Sequence, residues 1–179
     1  ANSYMILKFD FSGINTQSSA TTFRGFREKT ILSFKSFNTA YSLFSESEYQ
    51  YIADGESPEI NLKRFFETVK SKTAEKIYLM IDEYDHFANE VLSFRYSEFS
   101  EMVAQNGFVR KFYEVIKLET QEGIVDRVFI TGVTPITLDS LTSGFNIARN
   151  HSGTEDFNEM MGFTEPEVEK ILDEFYPEW

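Results

Sequence analysis

Residues 77–85 read Ile-Tyr-Leu-Met-Ile-Asp-Glu-Tyr-Asp: five apolar residues, then three carboxylates, Asp82, Glu83 and Asp85, within four positions. An unbroken apolar run of this length suits a strand buried on both faces of a parallel sheet, and ligands of such sheets bind at the strands' carboxyl ends. At that end an Asp can hold the Mg2+ that bridges nucleotide phosphates, and a Glu can take a proton from an attacking water. Neighbours at a strand tip point in different directions, so Asp82 suits the metal and Glu83 the water. The pattern is that of a Walker B metal–nucleotide site. A plainer reading stands beside it, in which Asp82 or Asp85 caps a following helix. His86 reads as a residue of that helix start rather than as a base.

A second chemical position is Thr131, a hydroxyl closing the apolar strand Val128-Phe129-Ile130 and followed by Gly132. In P-loop ATPases with an additional strand, a polar residue here (sensor 1) touches the terminal phosphate or the attacking water. Thr-Gly after a strand also marks a simple turn. Asp10 and Ser12 close the first strand at the same sheet edge and read as loop residues. Arg149 could reach a phosphate of this subunit or a neighbour, or stand as a solvated surface charge. The phosphate cradle itself is missing. None of the nine glycines is followed by Lys, so there is no G-x-x-x-x-G-K-[ST] loop, and no G-x-G-x-x-G occurs. Either that motif lies upstream of Ala1 or the acidic cluster has another task.

The elements that must position these residues follow from periodicity. Tyr4 to Asp10 reads as a strand nearer the sheet edge. Phe23, Phe26, Ile31, Phe34, Phe37, Tyr41 and Phe44 mark one face of a helix of about six turns. Ser57-Pro58 starts another, with Leu62, Phe65, Phe66 and Val69 inward. After Asp85 a short helix is expected to Leu92, carrying Phe87 and Val91 inward. The stretch from Phe94 to Asn106 reads as a surface excursion. Phe108, Val109, Phe112, Val115, Ile116 and Glu119 give a helix stopped near Gly123, and Ile124 to Thr131 is the third strand. A short helix is expected in 135–141, a loop in 142–154 and a short fourth strand in 157–163. Thr164-Glu165-Pro166-Glu167 is a capping box opening a helix with Val168, Ile171, Leu172 and Phe175 on its apolar face. This alternation predicts an α/β fold with a mainly parallel sheet.

Composition narrows the function. The 179 residues can bury one sizeable core, and 19 Phe and 9 Tyr make that core aromatic. A formal charge of −12 opposes phosphate backbones, so direct nucleic-acid binding by this segment is not expected. The absence of Cys removes thiolate chemistry, and His86 and His151 are too few for a multi-histidine metal site. No apolar run long enough to span a membrane and no signal pattern are present, so a cytoplasmic location is expected. The start at Ala1, close to an apolar strand, suggests a fragment of something longer.

Five stretches together carry a family resemblance: LKFDFSGI at 7–14, IYLMIDEYDH at 77–86, VFITGVTPI at 128–136, LTSGFN at 141–146 and GFTEPEV at 162–168. In that order they resemble the AAA-ATPase-like family of bacterial and archaeal proteins, whose members often carry a C-terminal PD-(D/E)XK nuclease-like domain. The resemblance implies a three-layer P-loop NTPase-like core over 1–163, truncated at its N-terminal Walker A strand, and the start of a helical lid over 164–179. It implies ATP and Mg2+ as cofactors of the full-length protein, with Asp82 on the metal, Glu83 activating water and Thr131 as sensor 1. The Walker A half would precede residue 1. Such sheets run 5-1-4-3-2, so the missing strand would leave Ile124–Thr131 with a free edge. That edge would be closed by the C-terminal segment or used for dimerisation. Two other functions remain open: an ATPase-like scaffold or regulator without hydrolysis, and a metal nuclease built on Asp82, Glu83 and Asp85.

Overall fold

A computed structural model describes residues 4–86, 89, 91, 96–103, 106–133, 149–152, 154–157, 159 and 162–176. By its internal contacts the chain divides into two compact units, Ala1–Ile147 and Ala148–Trp179.

The first unit is built on three parallel strands, β1 (Tyr4–Asp10), β2 (Lys76–Asp82) and β3 (Val125–Ile130), in the order β1-β2-β3. Between β1 and β2 run α1 (Ser19–Tyr41), α2 (Glu46–Ala53) and α3 (Pro58–Lys72). Between β2 and β3 lie α4 (Tyr96–Val103) and α5 (Phe108–Gln121). The chain steps across the sheet in one direction. Two right-handed crossovers taken in one direction place their helices on the same face.

Burial follows from that handedness. On β1 and β2 the residues Met5, Leu7, Phe9, Ile77, Leu79 and Ile81 are buried under the helices. Their neighbours on the opposite face, Ile6, Lys8 and Asp10, are exposed, and Tyr78, Met80 and Asp82 are half-buried. The run Ile77–Ile81 is therefore not buried on both faces, as its unbroken hydrophobicity predicted. Of the three layers expected, the described residues form two, the sheet and one helical layer. An α/β core with a parallel sheet is observed as expected.

The helical layer is held by stacked and edge-on phenyl rings. Phe11 and Phe26 stack at 4.2 Å and Phe34 and Phe65 at 4.4 Å. Phe112 of α5 meets Phe26, Phe9 and Phe11 edge-on at 5.0, 5.3 and 5.9 Å. Each fully buried Phe contributes about 2–3 kcal/mol from area alone. These rings fix α1, α3 and α5 against β1, and so fix where the strand tips stand.

Local chemistry sets the helix ends. Ser18 caps α1, its hydroxyl accepting from Thr21 N–H at 3.2 Å, while Thr21 Oγ1 accepts from Ser18 N–H at 2.9 Å. Gly123 follows α5 at φ +78°, a left-handed position that favours glycine. Ser57 occupies the cap position of α3 with Pro58 inside the first turn, but its hydroxyl makes no cap bond. The expected surface excursion at 94–106 is instead α4 for much of its length. Phe99, Met102 and Val103 are buried, spaced three and one apart, so a helical stripe hides in a polar-looking segment.

In the second unit, Glu155–Phe157 is a single 3-10 turn, and the described residues of 157–163 form no strand. The capping box opens α6 (Glu165–Phe175) as expected, with Glu167 accepting from Thr164 N–H and Oγ1–H, both at 2.8 Å. Its apolar residues Val168, Ile171, Leu172 and Phe175 remain 40–68% exposed. Phe87 and Leu92, the expected helix at 135–141 and most of the loop at 142–154 lie outside the described residues. No described helix is long and apolar enough to cross a membrane.

Candidate functional site

The carboxyl ends of the three strands come together as a row, Asp10, Asp82 and Thr131. Asp10 and Asp82 are register partners across β1 and β2. The ladder continues one step beyond β3: Thr131 N–H donates to Ile81 C=O at 2.8 Å, and Tyr84 N–H donates to Thr131 C=O at 3.2 Å. Thr131 is thereby clamped on either side of Asp82. Its hydroxyl donates to Asp82 Oδ1 at 2.6 Å. On the other side Lys8 Nζ lies 3.2 Å from Asp82 Oδ2.

These partners set the charge state of Asp82. The Thr131 hydroxyl, and after it Lys8, hold the Asp82 carboxyl below its ordinary range, against partial burial and the repulsion of Asp10. Asp10 is also held down, chiefly by the hydroxyl and N–H of Ser12, the N–H donating to Oδ1 at 2.9 Å. Both acids are thus anions at neutral pH, as a metal-facing carboxylate must be.

Glu83 departs from its neighbours in its backbone. Its φ is +49°, the left-handed region that non-glycine residues avoid at a cost of about 1–3 kcal/mol. The carboxylate is 45% exposed, with Oε2 3.4 Å from His86 Nδ1. His86 begins a helical turn, its N–H donating to Glu83 C=O at 3.2 Å. It stands beside Glu83 as a helix-start residue.

Asp85 has a different job. It is fully buried; Val133 N–H is shared between its two oxygens at 3.1 Å each, and Asn89 Nδ2 donates to Oδ2 at 2.8 Å. It ties the loop after β2 to the loop after β3. Gly132 is required there, since a Cβ would collide with Asp85 Oδ1 and the Tyr84 ring. Beneath them Tyr113 of α5 is buried beside Tyr84 and Asp85, and burial drives its phenol pKa well up. With its oxygens turned inward, Asp85 does not converge on Asp82 and Glu83, so the three-carboxylate nuclease arrangement does not form.

A divalent ion can be tested against the residues present. Among the described residues no group of three or more His, Asp and Glu is arranged to hold a metal. Mg2+ needs no such cage: it keeps several waters and binds one or two carboxylates together with substrate phosphates. Asp82, half-exposed and anionic beside the Thr131 hydroxyl, fits that mode and not an all-protein site. Arg149, exposed, belongs to the second compact unit.

Lys8 was not singled out by its sequence position, although strand alternation already places it on the face of Asp10; Asp85 was, but as a cap or metal ligand rather than as a tie between loops. The left-handed backbone of Glu83 had no signal at all. A cleft of about 300 Å3 lies elsewhere, between the loop at Gly13 and Asn15 and α1 at Arg24 and Lys29. It is open and shallow, and the chemistry of the strand tips outweighs it.

The first unit is a parallel α/β core with an acid and a hydroxyl bonded across adjacent strand tips. The chain belongs to the AAA-ATPase-like family: the family model described as Predicted AAA-ATPase matches residues 1–142. The coarse role is therefore ATPase-like, with nucleotide use implied by the family. A comparison with curated proteins and one with solved structures gave no match.

Proposed function

We propose that this chain supplies the metal and water side of an ATP site, with the phosphate cradle contributed by residues outside this sequence. The observation that carries the reading is the 2.6 Å bond from Thr131 Oγ1 to Asp82 Oδ1, between the tips of adjacent strands. Bound Mg2+ would neutralise phosphate charge and orient the terminal phosphate. Asp82 would hold it, oriented by Thr131. Glu83, its side chain 45% exposed, would accept the proton of the attacking water. Thr131 would also sense the terminal phosphate, and 164–179 would begin the lid.

The crevice that such a reading needs lies at a point where strand order reverses. The described strands β1-β2-β3 show no reversal, and Thr131 at the tip of β3 supports a crevice beyond the β3 edge. In the full-length protein, Asp82→Asn should abolish Mg2+-dependent ATP turnover, by about 100-fold or more. Unchanged turnover would remove Asp82 from the site. The lack of Gly-Lys-Ser/Thr in the sequence favours a second reading, an ATPase-like regulatory module without hydrolysis. A wild-type full-length protein that binds no nucleotide would select it.

A further inference from the structure

We propose that Lys8 is a tethered cation that competes with the divalent ion for Asp82 and so sets how weakly the site holds metal before nucleotide arrives. The inference rests on the reading of Asp82 as the metal carboxylate. Strand alternation puts Lys8 on the same open face as Asp10 and Asp82, and its ammonium reaches Asp82 Oδ2 at 3.2 Å. Oδ1 is taken by the Thr131 hydroxyl at 2.6 Å. Both oxygens that a metal would use are therefore engaged, one by a neutral donor that orients and one by a charge that must leave.

The geometry permits that departure. The Lys8 side chain is 53% exposed and that of Asp82 45%, so the ammonium can swing into water on a flexible stem without opening the core. Thr131, clamped by two backbone bonds, stays. A free divalent ion must compete with the ammonium for Asp82, whereas metal delivered with nucleotide brings phosphate oxygens of its own as further ligands. Lys8 acts here as a positioning and selectivity residue rather than a catalytic one.

Metal binding without nucleotide tests this. Mn2+ affinity, read by the EPR signal of the free ion, should tighten at least fivefold in Lys8→Met. The gain should vanish in Lys8→Met/Asp82→Asn, and Lys29→Met, which removes an equal charge near Asp10 without touching Asp82, should stay within about twofold of wild type. A Lys8→Met protein that binds Mn2+ no more tightly than wild type overturns the proposal, and so does an equal gain in Lys29→Met. If Asp82→Asn lowers Mn2+ affinity while Lys8→Met leaves it unchanged, the role of Lys8 fails and that of Asp82 stands. If Lys8→Met tightens binding and Asp82→Asn changes nothing in either background, the assignment of Asp82 itself fails.

Discussion

At the scale of single residues, the strand tips depend on what keeps Asp82 ionised and aimed. Thr131 contributes the largest downward pull on its carboxyl, and Lys8 the next. Thr131→Val should raise the Asp82 pKa toward the ordinary aspartate value of about 3.9, while Thr131→Ser should leave it low. Carboxyl carbon NMR shifts followed between pH 2 and 6 read this directly. The sign for stability follows from the depressed value. The contribution of Asp82 is complete above the unfolded-state pKa and is lost as pH falls through the lower folded-state pKa. Thr131→Val should therefore flatten the stability profile below about pH 4, by a small amount because Asp82 is half-exposed. A profile identical to wild type would show that the bond carries no weight.

That Asp82 and Thr131 stand at one sheet edge was legible from two strands each ending in a polar residue; the hydrogen bond between them was not. Lys8 was not, because an ion pair between adjacent strands depends on register, which sequence alone leaves open. The φ of +49° at Glu83 was hidden for a related reason: Asn, Asp and Gly advertise left-handed turns, and Glu does not.

At the scale of elements, the loops after β2 and β3 are joined by Asp85, and Gly132 makes room for the joint. Gly132→Ala should destabilise by about 3 kcal/mol or more, since the new Cβ collides with the buried Asp85 and the Tyr84 ring. Gly13→Ala, at φ +65° with nothing near a new Cβ, should cost only about 1–2 kcal/mol from backbone strain. Urea midpoints at constant slope separate the two, and equal losses would deny the joint. Within the helical layer, Phe112 meets rings from β1, α1 and the loop between them. Phe112→Ala should cost about 3–5 kcal/mol by the same measurement. The helices α1, α3 and α5 were readable because their apolar residues, many of them Phe, recur mostly at threes and fours. The helix α4 was not, because Ser, Glu and Tyr dilute its stripe of Phe99, Met102 and Val103, and only burial against α5 distinguishes them.

At the scale of the molecule, the uniform direction of the two crossovers explains most of what is open. It places every described helix of the first unit on one face of the sheet, and leaves Ile6 and Phe129 each 40% exposed on the other. The continuous hydrophobicity of Ile77–Ile81 announced a strand covered twice, and the described residues cover it once. β1 is partly guarded at its edge, Ile6 N–H donating to the Tyr41 hydroxyl at 2.7 Å. Beside β3 the described residues place no strand, and an unguarded edge is a template for another chain. We propose that this polypeptide by itself pairs through β3. Light scattering should give a mass above that of a monomer, reduced to the monomer by Phe129→Lys, and a monomeric wild type with a solvated β3 edge would end that idea.

The central claim is that Asp82 and Glu83 are the metal and water side of one ATP site, and Glu83→Gln in the full-length protein tests it most directly. The exchange keeps the size of the side chain and removes the base, so ATP should bind with its wild-type affinity while turnover falls about 100-fold or more. Turnover equal to wild type, with nucleotide still bound, would contradict it.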